Sequence, residues 1–181
     1  MSLLGWPWFI ARARGKEYLD DPGLSGEELV RSLEDLRWIN RWLGGYRSVR
    51  LALEPALESV SERPLHLLDL GTGLADLPAH LVRWAERRGR RITCTAVDNN
   101  PHVVEAAGDY LDRTLSDSLR GRVQVVEADV RAVLDEEDRF DLVTAALFLH
   151  HFPGEEAADL LVAMDRAARE GLIVSDLHRS L

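Results

Sequence analysis

The sequence contains a single cysteine, Cys94, so no disulfide can form within the chain. A chain without internal disulfides agrees with a reducing compartment, and we expect the protein to be cytoplasmic. Cys94 lies in the middle of an apolar run. This position predicts a buried small side chain rather than a reactive thiol.

Positive charge is also scarce. The 22 Lys and Arg residues stand against 31 Asp and Glu residues, which gives a net charge of −9 and a pI near 5.1. Proteins that hold nucleic acid through its phosphates need the opposite balance. We therefore expect no nucleic-acid partner.

Long apolar runs are missing as well. The most apolar part of the N-terminus, Leu3–Ile10, is interrupted by Gly5 and Pro7 and is followed by Arg and Lys residues. It is too short to span a bilayer, and its charges follow the apolar segment, in the reverse order of a secretory signal. We expect no stable membrane insertion. We interpret this N-terminal segment as a strap packed on the domain. A cover over a substrate pocket and a contact with a membrane surface are the alternatives that remain open.

At 181 residues, with 46% hydrophobic and 29% charged residues, the chain is long enough for one domain with a real core. Apolar runs alternate with amphipathic segments, which is typical of an α/β domain. The predicted strands are Leu65–Leu70, Ile92–Val97, Arg122–Val126, Phe140–Ala146 and Gly171–Leu177. The predicted helices are Gly26–Leu43, Tyr46–Ser61 (kinked or divided at Pro55), Leu77–Arg88, Pro101–Leu119 and Glu155–Arg169.

The most informative stretch is the first strand and the turn that follows it. The run Leu65–Leu70 is apolar enough to be buried on both faces of a parallel sheet, and it stops at Gly71-Thr72-Gly73. Glycine tolerates positive φ and lets a ligand approach the backbone closely. The N–H groups at the start of the next helix then face whatever binds there.

Two carboxylates flank this turn and bear on the ligand class. A dinucleotide-binding turn carries a third small residue three positions after the second glycine, and this chain has Asp76 there. Asp69 lies two residues before Gly71. The pair would repel a diphosphate and would suit an ammonium or sulfonium centre.

An acid before Gly-x-Gly at the end of the first strand resembles the first motif of class I S-adenosylmethionine-dependent methyltransferases. Asp98, at the end of the second strand, is placed to accept hydrogen bonds from both ribose hydroxyls. The resemblance implies a Rossmann-like fold with strand order 3-2-1-4-5 and S-adenosylmethionine as cofactor, with S-adenosylhomocysteine as product. It also implies that Asp129, at the end of the third strand, bonds the adenine amino group. The implied cofactor residues of the core are Asp69, Gly71, Thr72, Gly73, Ala75, Asp76, Asp98, Asn99, Asp129, Val130 and Leu147.

The two N-terminal helices resemble something narrower. The stretch Asp35–Arg47 is similar to the helical lid of bacterial methyltransferases encoded beside type III polyketide synthases. That resemblance implies methyl transfer to a small acceptor, with O-methylation of a phenolic or polyketide-like compound as the finer reading. It places Asn40 and Arg47 at the site and divides the chain into a strap and lid (1–61) and a cofactor-binding core (62–181), within one structural domain.

Two adjacent histidines, His150 and His151, follow the fourth strand, at the sheet edge where ligands bind. A histidine near its ordinary pKa can take a proton from a phenol-like acceptor, so either is a candidate general base. A structural role in the loop is the alternative. The spacing of His150, His151, Asp176 and His178 matches no metal motif, and no metal site is predicted.

The chain ends soon after the fifth strand, where the resembled family continues with a helix and an antiparallel strand pair. We therefore expect a fold truncated before that pair. The strand Leu172–Asp176 would be an exposed, apolar sheet edge, able to pair with a second copy as a homodimer. Two other function classes remain open, namely a module that binds the cofactor but is catalytically impaired, and a nicotinamide-dependent oxidoreductase.

Overall fold

The computed structural model describes residues 26–42, 44–60, 63–135, 137 and 139–176 of the chain. In chain order its elements are α1 (Glu27–Trp42), α2 (Gly45–Ser59), β1 (Leu65–Leu70), α3 (Asp76–Glu86), β2 (Ile92–Asp98), α4 (Pro101–Thr114), α5 (Asp117–Arg120), β3 (Val123–Glu127), α6 (Val130–Val133), β4 (Phe140–Ala146), a 3₁₀ turn (Leu149–His151), α7 (Gly154–Ala167) and β5 (Ala168–Ser175).

The strands of the described part form one parallel sheet in the order β3-β2-β1-β4-β5, which confirms the predicted Rossmann-like topology. β1 is central, and its leucines alternate between two cores. Leu65 and Leu67 join the cluster on one face, and Leu68 and Leu70 join the cluster on the other. The strand order reverses between β1 and β4, and ligands bind at such a switch point, beyond the carboxyl ends of the strands.

Helices cover both faces of this sheet. The first core lies under α2, α3 and α4, and the second lies under α6 and α7. Because Val49, Leu53 and Leu57 of α2 share a core with β1 and β2, α2 packs as part of the sheet domain. α1 contributes Leu29 and Leu33 to a separate small cluster with Leu74, Val103 and Ala106.

The structure answers the question that Pro55 left open in the second predicted helix, and it shortens the helix predicted over Pro101–Leu119. α2 is continuous, with Pro55 inside it, so the helix is not divided. The predicted helix over Pro101–Leu119 ends at Thr114, because the buried Leu115 is extended, and the short α5 follows.

The second difference lies at the last strand. The predicted start of the last strand, Gly171, is wrong by three residues. β5 begins at Ala168, because Ala168 already pairs with Phe140 of β4. The ladder then shifts register between Phe140 and Leu142, next to Gly171, which has φ +141°. β5 ends at Ser175. The predicted N-terminal strap and the predicted element ends at Leu43, Ser61 and Leu177 lie outside the described residues.

At the amino end of the sheet, the carboxylate of Asp141 on β4 is completely buried and is held by charged partners. Arg63 donates to both of its oxygens, at 2.6 and 2.7 Å, and the backbone N–H of His66 donates at 2.7 Å. Arg169 of β5 adds a longer contact of 3.4 Å. Burial alone would raise the pKa of Asp141, but the bonds from Arg63 and His66 outweigh it and lower the pKa.

The carboxylate of Asp69, at the other end of β1, is also buried, with 2% exposure. The hydroxyls of Thr72 in the glycine turn and Thr144 on β4 each donate to it, at 2.7 Å. Burial raises the pKa of Asp69 to about 6, against the effect of these two hydrogen bonds. Asp69 therefore ties β1, its turn and β4 together.

The Asp141 cluster predicts a large difference between two charge-neutralising variants. Asp141→Asn should lower the free energy of unfolding by about 3 kcal/mol, the low end for breaking a buried pair, because both arginines are half exposed and can be rehydrated. Glu86→Gln breaks the more exposed pair with Arg122 and should cost less than about 1 kcal/mol. Urea unfolding of the two variants at pH 7 measures both. Equal midpoints would show that the Asp141 cluster adds nothing specific.

Asp69→Asn should change how stability depends on pH. Between the unfolded pKa near 4 and the folded value of about 6, wild-type Asp69 keeps a proton that the unfolded chain has released, so rising pH destabilises the fold. Asparagine lacks this titration. The stability of Asp69→Asn relative to wild type should therefore rise by roughly 2–3 kcal/mol from pH 4 to pH 7. Thermal or urea unfolding across this range, with the exposed-site variant Asp159→Asn as control, tests it. A pH-independent difference would contradict it.

Candidate active site

A cavity of about 620 Å³ lies beyond the carboxyl ends of the strands, at the switch point between β1 and β4. Its volume is within the ~300–1,000 Å³ that is usual for small-molecule sites. Eight residues predicted from the sequence line it: Gly71, Gly73, Asp98, Asn99, Asp129, Val130, Leu147 and His151.

The glycine turn forms the floor of the cavity. Gly71 and Gly73 have φ values of +61° and +54°, and Ala75 follows with +54°, so the turn depends on left-handed backbone at three places. A Cβ on Gly71 would lie 2.1 Å from Cδ2 of Phe148, whereas one on Gly73 would have only Leu33 nearby, at 3.7 Å. Gly71 is thus required both by its conformation and by the aromatic ring packed against it.

Asp98 stands at the end of β2, beside the turn. Its Oδ2 accepts from the N–H of Gly73 at 3.3 Å, and its Oδ1 accepts from the N–H of Asn100 at 3.1 Å. Each carboxylate oxygen has two acceptor positions, so both oxygens keep capacity for a ligand donor. Burial raises the pKa of Asp98, and the nearby His151 acts in the opposite direction.

Asp129 and Val130 lie at the end of β3. The Asp129 side chain caps α6 by accepting from the N–H of Arg131 at 2.8 Å. Val130 is buried beside it and contributes an apolar surface to the cavity. Arg131 also reaches the cavity, but its guanidinium pairs with Glu156 at 2.8 Å and lies over the ring of Phe152.

The loop after β4 forms the opposite wall. Leu147 has φ +51°, an unusual conformation for a leucine, and its N–H donates to the carbonyl of Ser175 at 2.8 Å. The ring centroids of Phe148 and Phe152 are 5.1 Å apart, edge to face, and His151 lies 6.4 Å from Phe148. These three rings give the cavity an aromatic side.

The two histidines of this loop have different surroundings. His151 is exposed and lines the cavity. His150 is mostly buried and is paired with Asp176, which follows β5. The sequence did not distinguish between them, because the pairing joins residues that are 26 positions apart.

α1 covers the cavity with apolar residues. Leu29, Leu33 and Leu36 line it at helical spacing, and Leu33 lies over Gly73. Two polar lid residues were predicted from the sequence. Arg47 is exposed on α2 and does not line the cavity, and the side chain of Asn40 lies outside the described residues.

Four predicted cofactor residues, Asp69, Thr72, Ala75 and Asp76, do not reach the cavity wall. Asp69 at the end of β1 and Thr72 and Ala75 in the turn are buried. Asp76 begins α3 and accepts a hydrogen bond from the Tyr46 hydroxyl of α2, and burial raises its pKa. The carboxylates of the cavity wall are instead those of Asp98 and Asp129.

Several lining residues were not predicted. Arg131 comes from α6, Phe148 and Phe152 come from the segment after β4, and Pro101, His102 and Val103 come from the start of α4. Their positions after strand ends were a usable signal, because all such loops meet at one edge of a parallel sheet. Side-chain identity alone did not select them.

Within the described ranges, no group of three or more His, Cys, Asp or Glu side chains is arranged to hold a metal ion. No helix in the same part of the chain is long and apolar enough to cross a membrane.

Comparison with solved structures gives the same fold. Magnesium protoporphyrin IX methyltransferase from Synechocystis PCC 6803, solved with bound SAM, superposes with a TM-score of 0.58 at 18% identity, over 84% of this chain and 64% of that one. A putative S-adenosyl-L-methionine-dependent methyltransferase from Methanococcus maripaludis gives 0.58 at 16% identity, over 91% and 67%. This chain thus spans about two thirds of their length.

A third structure, titled for the conversion of a disulfide bond into a thioacetal group during echinomycin biosynthesis, gives a TM-score of 0.50 at 26% identity over 70% of this chain and 46% of that one. The comparison with curated proteins gave no match. Residues 67–171, more than half of the chain, match the family model described as a methyltransferase domain, and the chain belongs to that family.

Proposed function

We propose that this protein transfers a methyl group from S-adenosyl-L-methionine to a small-molecule acceptor. The observation that carries the proposal is the joint presence, in one cavity, of the glycine turn after β1 and the Asp98 carboxylate after β2. A ligand with a ribose and a positively charged centre fits this pair. The family assignment and the structure of a relative solved with bound SAM support the same choice.

The cavity residues agree with this cofactor on three counts. Gly71 and Gly73 lack a Cβ where the ligand would approach the backbone. Asp98 retains acceptor capacity for two ribose hydroxyls, and Asp129 with the apolar Val130 would hold the adenine. The cavity wall carries the carboxylates of Asp98 and Asp129, whereas its Arg131 already pairs with Glu156, so a sulfonium is favoured over a diphosphate.

We propose indirect roles for four of the remaining predicted residues. Asp69, Thr72 and Ala75 would hold the turn in its binding conformation, and Asp76 would anchor α2 to it through Tyr46. They would then act on affinity through the backbone of Gly71 and Gly73. Asn40 and Arg47 remain proposals for the lid.

When bound, the cofactor supplies an electrophilic methyl group on a sulfonium. The chain's part is to hold an acceptor in line with that group and to exclude water, and such positioning supplies much of the rate. The leucines of α1 and the rings of Phe148 and Phe152 are suited to a flat, apolar acceptor. A phenolic or polyketide-like acceptor, methylated on oxygen, is the finer proposal, with His150 or His151 as the group that takes its proton.

We also propose a location, an oligomeric state and a second candidate function. The buried free Cys94 is compatible with the cytoplasm. β5 pairs only with β4 among the described strands, so its outer edge is the proposed contact of a homodimer. A protein that binds the cofactor without turnover is the second candidate.

Asp98→Ala should weaken the binding of S-adenosylhomocysteine more than tenfold. The two ribose hydroxyls would lose a charged acceptor, worth about 1.5–3 kcal/mol. Asp98→Asn, which keeps one acceptor oxygen, should lie between Ala and wild type. Isothermal titration calorimetry measures all three, with Asp109→Asn as an exposed control on α4 and NAD⁺ as a control ligand.

Two results would argue against the site. Unchanged affinity in a folded Asp98→Ala variant would remove Asp98 from it, and tighter binding of NAD⁺ than of S-adenosylhomocysteine would favour the oxidoreductase alternative. Binding of the cofactor by wild type without methyl transfer to any of a panel of phenols would support the second candidate.

Gly71→Ala tests the close approach at the turn. Both Gly71 and Gly89 have positive φ, so alanine at either should cost about 1–2 kcal/mol of stability. Only Gly71 faces a ring, because a Cβ at Gly89 meets nothing within 4 Å. Gly71→Ala should therefore destabilise more than Gly89→Ala and also weaken S-adenosylhomocysteine binding, which Gly89→Ala should leave intact. Thermal melts with and without ligand measure both effects. Equal effects of the two variants would contradict a close approach of the ligand at Gly71.

A further inference from the structure

The two adjacent histidines are held differently, and the difference originates at Asp176, a residue the methyl-transfer proposal has not used. One oxygen of its carboxylate lies 2.6 Å from Nδ1 of His150. The other accepts from the backbone N–H of His150 at 3.0 Å. One side chain at the end of β5 thus fixes both the backbone and the ring of the Leu149–His151 turn.

This arrangement determines which nitrogen of His150 carries the proton. A backbone N–H can only donate and a carboxylate can only accept, so Nδ1 must be the donor to Asp176. In its neutral form His150 is then held in the tautomer with its proton on Nδ1 and its lone pair on Nε2. Both side chains are largely shielded from solvent, with 17% and 15% exposure, which favours a stable pair over a transient surface contact.

His150 in turn contacts His151. The two ring centroids are 4.2 Å apart with an interplanar angle of 37°. His151 lines the cavity, whereas His150 does not, and His151 is close enough to Asp98 to affect its titration. Asp176, His150 and His151 therefore form a continuous path from the end of β5 to the cavity wall.

We propose that Asp176 and His150 are positioning residues and that His151 is the catalytic base of the transfer. In this step the acceptor's O–H proton moves to His151, and the acceptor oxygen forms its bond to the methyl carbon. The electron pair of the broken carbon–sulfur bond stays on sulfur, which changes from sulfonium to thioether. The assignment of the base rests on the proposed function, but the geometry of the Asp176–His150 pair does not.

The pair itself is tested by NMR on the full ¹⁵N-labelled chain without any ligand. At pH 8.5, two-bond ¹H–¹⁵N spectra should show His150 as the Nδ1–H tautomer. Asp176→Ala should convert it toward the Nε2–H tautomer that free histidine prefers, and Asp165→Ala, an exposed acid on α7, should leave it unchanged. An Nε2–H tautomer in wild type, or no change in Asp176→Ala, would overturn the positioning role. His150→Gln and His151→Gln variants assign the signals.

The roles of His151, His150 and Asp176 are tested by measuring kcat for methyl transfer from S-adenosylmethionine to resorcinol, which serves as the acceptor. His151→Gln should lower kcat at least ~100-fold, as expected for loss of a general base, with little change in cofactor affinity. His150→Ala and Asp176→Ala should lower it about tenfold. His150→Asn keeps an N–H donor near Asp176, so its kcat should be close to that of wild type. If His150 were the base, this variant would lose activity, because an asparagine side chain cannot take the proton.

The outcomes separate the two proposals. Equal losses in His150→Asn and His151→Gln would make His150 the base and overturn the assignment. Full activity of His151→Gln would overturn it as well. If wild type binds S-adenosylhomocysteine but methylates no phenol, the proposed transfer fails and the assignment of His151 as its base is overturned with it, while the tautomer measurement still decides the role of Asp176.

Discussion

The rest of the site depends on one buried carboxylate. Asp69, with 2% exposure, is bonded at 2.7 Å to Thr72 in the turn and to Thr144 on β4. β1 and β4 are the two strands between which the sheet reverses its order, so this group links the switch point to the floor of the cavity. Burial makes its ionised form unfavourable, since it raises the pKa to about 6. The fold tolerates that cost at the place where the backbone must be held for a ligand.

The sequence predicted those parts of the molecule that depend on local patterns. The leucines of β1, the stop at Gly71 and the acid at the end of β2 are neighbours along the chain, and topological rules for parallel sheets bring their ends together. The strand order and the cavity position follow from them. The prediction for β5 was wrong at its start, because pairing with Phe140, which no local pattern records, extends the strand to Ala168.

The sequence could not show how the side chains pair across the fold. Asp69 and Asp76 look equivalent to Asp98 when read as acids near a turn, yet the first two are turned inward to Thr144 and Tyr46, and only Asp98 lines the cavity. The lid shows the same limit. Arg47 was expected at the site but is exposed on α2, and the leucines of α1 line the cavity, because covering an apolar cavity buries the apolar face of the helix. Likewise, the approach of Phe148 to Gly71 depends on a loop 77 positions further along the chain, which only the folded structure brings into contact.

We propose that the cavity between β1 and β4 binds S-adenosylmethionine through the glycine turn and Asp98. The most direct measurement is a crystal structure of the protein with S-adenosylhomocysteine. We expect both ribose hydroxyls within hydrogen-bond distance of the Asp98 carboxylate, the adenine beside Asp129 and Val130, and the sulfur near the loop that carries Phe148 and His151. A nucleoside bound away from Asp98, or a saturated crystal with this cavity empty, would contradict this proposal.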